Sequence, residues 1–189
     1  LLRNREAFDE ADKMYVRTLE IRRAVFGDDH TLTAQSVNNL AVFTKKQGDI
    51  PGAIELYREA LAIYERVAGP DNVAVAFPLH NLAQSLADIG ETEEARTHVR
   101  RALRVYRTEI GESHWGTMDF HSRHGEILGL LGREAEAEAE LKAGYEGLLE
   151  AVGARRPHTK AAAGRLVDFY ESTGRPELAD PYREPTPDS

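Results

Sequence analysis

The sequence predicts an all-α solenoid, a row of stacked antiparallel helix pairs, on three observations. Glycines fall at Gly48, Gly90, Gly132 and Gly174, each 42 residues after the last, and a second set, Gly27, Gly69, Gly111 and Gly153, keeps the same step. Alanines follow at Ala11, Ala53, Ala95, Ala137 and Ala179. Between the glycines, each unit carries two stretches with apolar residues at three- and four-residue spacing, the pattern of amphipathic helices. Helix pairs of fixed length that cannot bury their apolar faces alone stack on one another, and the core then runs along the row.

In chain order, a partial first unit occupies 1–27. It opens at "LLRNREAFDEA", which aligns with "FTKKQGDIPGA" and so lacks most of its leading helix. That ragged start implies either a piece of a longer array or another domain capping the open end. Full units follow over about 28–69, 70–111 and 112–153, then a terminal unit over 154–183 and a polar tail, "REPTPDS", of which 184–189 lie beyond the array. In "DIPGAIELYREALAIYERVAG", 49–69, the apolar positions Ile50, Ala53, Ile54, Tyr57, Ala60, Leu61, Tyr64 and Val67 form one stripe. Asp49 suits its N-cap and Gly69 a left-handed residue just past its end. The preceding helix of the next unit, "NVAVAFPLHNLAQSLADIG", contains Pro78, which predicts a kink or a late start. "EAEAEAE", 134–140, alternates like a strand, but Ala137 stands in the alanine ladder, so it reads as helix. Pro181 interrupts the last helix, and "GARRPH" replaces the Gly-x-x-His or Gly-x-x-Asn of earlier units. Ala41, Ala83 and Gly125, with Ala53, Ala95 and Ala137 and then Ala60 and Ala102, mark where helices cross closely; a larger side chain there would overpack the contact.

The pattern Leu40-Ala41-x-x-Thr44, then Ala53-x-x-x-Tyr57-x-x-Ala60, repeated with Leu82, Ala83, Leu86, Ala95, Val99 and Ala102, resembles the tetratricopeptide repeat. The 42-residue step, "NNLA" at 38–41, "EALAIYERVAGPDN" at 59–72 and "FGDDHTLT" at 26–33 are similar to its longer, kinesin-light-chain-like variety. The resemblance covers nearly the whole chain. It implies a right-handed superhelix whose first helices line a concave groove, and a non-catalytic scaffold that binds a peptide or partner protein there. It also implies a second reading, a regulatory or self-assembling domain of a larger bacterial signalling protein with no free peptide ligand.

Composition narrows the rest. Of 189 residues, 41% are apolar and 30% charged, which suits a soluble folded chain, and no apolar run approaches the ~20 residues that cross a membrane. Cysteine is absent, which removes disulfides, thiol catalysis and thiolate metal sites and fits a reducing, cytoplasmic compartment. The net charge of −8 argues against nucleic acid and anionic membranes as partners. No Gly-rich phosphate loop and no Gly-x-Ser-x-Gly turn is present, so neither an enzyme nor a cofactor is expected.

By register with the family's peptide-contacting positions, the groove candidates are Gln35, Asn38, Asn39 and Val42, then His80, Asn81 and Gln84. Asp119, Ser122, Arg123 and Glu126 follow, and last Arg165 and Asp168. One row reads Asn39, Asn81, Arg123, Arg165. Asparagine amides both donate and accept, so they grip an extended backbone of any sequence, and arginine forks carboxylates; together they suit a peptide with acidic groups. The competing reading pairs Arg123 with Glu126 and Arg165 with Asp168, each three residues on, as solvated helix pairs.

"FHSRHGEIL", 120–128, has a His-x-x-His look, but register sets His121 with Val37 and Leu79, and His124 with Leu40 and Leu82, inward slots that predict neutral core rings rather than metal ligands. His114 aligns with His30 and Asn72, where it caps or packs the turn. The basic cluster Arg96, Arg100, Arg101, Arg104 and Arg107 faces the acidic helix carrying Glu134, Glu136, Glu138, Glu140 and Glu146, which predicts pairing between neighbouring units.

Overall fold

The computed structural model describes residues 2–183, with side chains from residue 10 onward; the polar tail, 184–189, lies outside the described residues. The helices are α1 (Leu2–Phe26), α2 (Thr31–Lys46), α3 (Ile50–Ala68), α4 (Ala76–Asp88), α5 (Thr92–Ile110), α6 (Trp115–Leu130), α7 (Glu134–Val152), α8 (Pro157–Ser172) and the short α9 (Asp180–Arg183). Single 3-10 turns precede α4, at Val73–Val75, and α9, at Pro176–Ala179. "EAEAEAE" is helical, as its register requires.

Both glycine ladders are turns of positive φ, from 70° to 104°. At Gly69, Gly111 and Gly153 the ψ values are 155°, 153° and 161°, the extended half of positive-φ space rather than the left-handed helical well that Gly69 suggested. That region is essentially closed to any residue with a Cβ. The chain therefore straightens after each second helix and crosses directly to the next leading helix.

The start of each leading helix, just past the crossing, is also periodic. His30 Nδ1 accepts from Leu32 N at 3.1 Å, Asn72 Oδ1 from Ala74 N at 2.9 Å, and His114 Nδ1 from Gly116 N at 3.1 Å, so the three are N-caps. Arg156 makes no such bond, and Pro157 at the first turn takes over, with its φ preset for helix. A second tie was not apparent from the sequence. Thr33, Thr117 and Thr159 hydroxyls donate to the carbonyls of Gly27, Gly111 and Gly153 at 2.8, 2.6 and 2.9 Å. The same slot in the second full unit holds Val75, which cannot donate, and there the leading helix starts late. The 3-10 turn comes first and α4 has 13 residues where α2, α6 and α8 have 16. Pro78 lies in the first turn of α4, where its missing N–H breaks no helical bond.

Small residues set the packing within each pair. Ala41, Ala53, Ala60, Ala83, Ala95, Ala102 and Ala137 are fully buried. A Cβ on Gly125 would lie 2.7 Å from Leu141 N and 2.9 Å from Ala137 O. Gly144 holds the slot of Ala60 and Ala102, and a Cβ there would lie 2.7 Å from Met118 O. With glycine on both helices, α6 and α7 approach backbone to backbone. Along the row, the backbones of α2 and α4, α4 and α6, and α6 and α8 come close, whereas those of α3, α5 and α7 stay apart, α3 and α5 being joined only by long side chains. The leading helices are thus the inner layer of a curved stack.

The two ends differ from the middle. The first unit has Glu6 and Ala7 where the next has Gly48 and Asp49, so no turn forms and α1 runs unbroken from Leu2 to Phe26. Lacking a leading helix against it, α1 leaves Met14, Ile21 and Val25 exposed, while Ile63 and Val105, which share the slot of Ile21, are buried. At the other end Pro181 is the second residue of α9, a position that tolerates proline. Glu138 ties this end down, accepting from Lys142 and Arg175 at 2.8 Å each and from the Tyr170 hydroxyl at 3.0 Å.

Gly144→Ala is expected to destabilise the chain by ~1–3 kcal/mol through overpacking. Gly164→Ala, at an exposed helical glycine with open space around it, is expected to stabilise it by ~0.5–1 kcal/mol. Urea unfolding followed by circular dichroism measures both; two shifts of the same sign would refute the packing assignment.

Candidate functional site

The inner layer carries the predicted row, and its members separate by burial. On α2, Asn39 is exposed and has no hydrogen-bond partner among the described residues, Val42 packs against the core, and Gln35 accepts from Arg22 Nη1 at 3.1 Å. Asn38 Oδ1 accepts from Asn81 Nδ2 at 3.4 Å, which joins α2 to α4. Gln84 Nε2 donates to Glu126 Oε1 at 3.5 Å, which joins α4 to α6. His80, Asp119 and Ser122 are buried beneath this surface, and Asp168 is exposed on α8.

Asp119 organises the middle. Its Oδ2 accepts from Arg123 Nε at 2.7 Å, and its Oδ1 from Arg165 Nη1 at 3.4 Å; His158 Nδ1 lies 3.9 Å away. Arg165 also donates Nε to Glu126 Oε2 at 3.0 Å and Nη1 to the Ser122 hydroxyl at 3.2 Å. The sequence-level pairs are therefore replaced: Arg123 turns back one turn to Asp119 instead of Glu126, and Arg165 crosses to α6 instead of pairing with Asp168. The reason is burial. Asp119 is an unavoidable charge in a low-dielectric site, and such a charge is retained only when ion-paired and hydrogen-bonded. The Arg165 side chain is 13% exposed and committed to this network, whereas that of Arg123 is 26% exposed and uses only Nε in it.

One exposed aromatic on this face escaped the sequence reading. Phe77, in the same slot as Gln35 and Asp119, is 47% exposed and stands edge-on to Phe120 with ring centroids 5.1 Å apart. The 42-residue register alone would have found it. Between α6 and α8, Glu126, Leu130, Arg165, Asp168, Phe169 and Thr173 line a cavity of about 440 Å³, so three predicted groove residues converge on one concavity.

The histidines divide differently from expectation. His80 is 2% exposed, and burial first, then the charges of Arg123 and Arg165, push its pKa down to about 3. His124 is buried, as its slot predicts, but neither ring nitrogen is hydrogen-bonded. His121 is not a neutral core ring. Its Nδ1 lies 2.6 Å from Glu140 Oε2 and its Nε2 3.6 Å from Glu112, and the Glu140 hydrogen bond, opposed by burial, raises its pKa. Burial pushes Glu140 up, but the His121 hydrogen bond and the charges of the two neighbouring rings, His124 and His121, outweigh it and hold Glu140 at about 2. Both rings face α7 rather than the groove. Among the described residues no group of three or more histidines and carboxylates could hold a metal ion, and no helix is long and apolar enough to cross a membrane.

The predicted charge pairing of α5 with α7 is also absent. Arg101 Nη1 reaches back to Glu65 on α3 at 2.6 Å, Arg58 on α3 reaches Glu94 on α5 at 3.0 Å, and Arg96 pairs with Glu93 on its own helix. Glu138 turns the other way, to Arg175.

These shifts set opposite pH slopes. The raised pKa of His121 gives stability that is complete below its unfolded value of about 6.5 and lost as pH rises through the folded value. Glu140 contributes above about 4.3 and loses that contribution as pH falls towards 2. His80 must stay neutral, so stability falls as pH drops from about 6.5 towards 3. The thermal midpoint is expected to fall as pH rises above about 6.5 in the natural chain and to fall less in Glu140→Gln; parallel curves would exclude the His121–Glu140 pair as the cause.

Two tetratricopeptide-repeat family models match the chain, one over residues 33–108 and the other over 1–32, together reaching from 1 to 108 of its 189 residues. A kinesin-light-chain-type protein of Podosopora anserina with nearly identical TPR-like repeats superposes with a TM-score of 0.72 at 17% identity, over 95% of this chain and 84% of that one. BtubC (BKLC) from P. vanneervenii gives 0.76 at 19% identity, over 96% and 73%. MamA gives 0.54 at 17%, over 95% and 86%. No curated protein sequence matches the chain. At these identities the superpositions speak for the fold alone, a right-handed α-solenoid, and the two family models place this chain in the tetratricopeptide repeat family.

Proposed function

We propose that the chain is a non-catalytic protein-interaction scaffold that holds an extended peptide or a partner segment along its inner face. The observation that carries this is the combination, on consecutive leading helices, of unpartnered Asn39, exposed Phe77 and an Arg123 whose two Nη groups have no partner among the described residues. Each does a different job. Asn39, with Asn81 behind it, pairs with main-chain amides of any sequence. Phe77 offers the apolar anchor that carries most binding energy at such surfaces. Arg123 forks an acidic side chain or a free carboxylate. The buried Asp119, Ser122 and His80 hold these groups rather than touching the ligand, and Arg165 is a positioning residue because its guanidinium is committed to Asp119, Glu126 and Ser122.

Selection from a phage-displayed library of random dodecapeptides tests this reading. Selected peptides are expected to lose at least about tenfold in affinity, ~1.4 kcal/mol, to Phe77→Ala and to Asn39→Ala. Arg123→Gln is expected to weaken acidic peptides more than neutral ones. Peptides that bind all three variants unchanged would remove the inner face as the contact surface.

One observation favours a second reading, self-assembly without a peptide ligand. The α1 face keeps Met14, at 71% exposure, Ile21 and Val25 in solvent, and in later units the slot of Ile21 is covered by a leading helix. Light scattering behind size exclusion decides this. Association reversed by Met14→Glu with Ile21→Glu would support it, and a monomer at all concentrations would end it.

A further inference from the structure

The outer face holds an arginine-lined cavity that the scaffold role does not use. It measures about 470 Å³ and is lined by Thr97, Arg100, Arg101, Arg104 and Arg107 of α5 together with His124 of α6. Two independent features mark it: unneutralised charge and an unsatisfied buried ring.

The charge follows from repeat register. Between α3 and α5 two cross-repeat pairs form, Arg58–Glu94 and Arg101–Glu65. At the next junction, between α5 and α7, the slots equivalent to Arg58 and Glu94 hold Arg100 and Glu136, but Glu136 pairs with Arg133 beside it. The slots of Glu65 and Arg101 hold Arg107 and Ala143, so the acid has become a base and the base has become a small apolar residue. Arg107 turns to Glu112 at 3.3 Å, and Arg100 and Arg104 have no counter-ion among the described residues.

The ring is His124. It is 8% exposed, it lines the cavity, and neither nitrogen has a hydrogen-bond partner. Glu140 Oε2 lies 3.7 Å from Nδ1, beyond hydrogen-bond length, and is already engaged by His121. A buried polar group left unsatisfied is a standing cost to the fold, which a ligand accepting from its ring N–H would recover.

We propose that this cavity binds a small anion through a di- or triphosphate chain. Arg100, Arg104 and Arg107 lie on successive turns of one face, and at 1.5 Å per residue they span about 10 Å along α5, enough for two or three phosphates. Guanidiniums fork phosphate oxygens in pairs, and His124 donates from beneath. The net charge of −8 confines the attraction to this patch and disfavours a long polyanion.

Isothermal titration calorimetry of the full chain with sodium tripolyphosphate, ATP and inorganic phosphate tests the site. Saturable one-to-one binding of tripolyphosphate is expected, stronger than that of inorganic phosphate. Equal affinity for tripolyphosphate and ATP identifies the phosphate chain alone as the determinant, and tighter ATP adds a nucleoside contact; both support the site. Arg100→Gln with Arg104→Gln, both on the exposed side of α5, is expected to weaken binding at least about tenfold with the thermal midpoint of the free chain retained. His124→Phe is expected to weaken binding without unfolding the chain, and Arg17→Gln, at an exposed arginine of α1, to leave it unchanged. No saturable binding, binding indifferent to the double substitution, or a signal without defined stoichiometry that vanishes at moderate salt would overturn the proposal.

Discussion

Everything in this molecule rests on how closely the two helices of each pair approach. The approach is set by a few small, fully buried residues, Ala41, Ala53, Ala83 and Ala95, and by Gly125 against Ala137 with Gly144 one face further along. Because the spacing is repeated every 42 residues, each pair presents the same face to the next, and the inner layer forms without any long-range sheet or disulfide. The proposed binding row inherits its geometry from this. Asn39, Asn81 and Arg123 are aligned because the small residues two positions on, Ala41, Ala83 and Gly125, recur on the same period.

Charge is wired differently on the two faces. On the outer face the links are long and exposed, as in Arg23 with Glu59, Arg58 with Glu94 and Arg66 with Asp29. Exposed pairs of this kind contribute only ~0–1 kcal/mol each, so they bear on the relative twist of neighbouring units more than on their stability. On the inner face the Asp119 network is nearly enclosed, and removing either partner would strand a charge at a cost of several kcal/mol. The same residue types thus serve as loose ties outside and as a rigid keystone inside.

The fold was legible in the sequence because periodicity is a local signal. The glycine and alanine ladders, the Asp49 cap, the helical reading of "EAEAEAE" and the late start at Pro78 all follow from spacing and from the conformational limits of single residues. The site was legible only as a surface. Register placed Arg123 and Arg165 on the inner face, but it could not say which carboxylate each would choose, since that depends on burial. Asp119 is the deeper acid and takes both arginines. Register also gave His121 an inward slot without its acid, because Glu140 lies 19 residues away on the partner helix and meets the ring only after the glycine contacts have closed the pair. Phe77 was hidden for a simpler reason: an aromatic in a helix reads as core by default, although it holds the slot of Gln35 and Asp119.

The Val75 slot has a mechanical consequence. Three leading helices are tied at their first turn by a threonine hydroxyl to the glycine carbonyl of the crossing, and the fourth, α4, has no such tie and starts with a 3-10 turn. In a row where each unit contacts only its neighbours, bending strain gathers at the weakest joint. That joint lies at the start of α4, the helix of Phe77 and Asn81, so it separates the unit of Asn39 from the units of Asn81, Arg123 and Arg165. The inner layer is therefore two segments meeting at this joint, and the pitch between them is the dimension least fixed by the repeat.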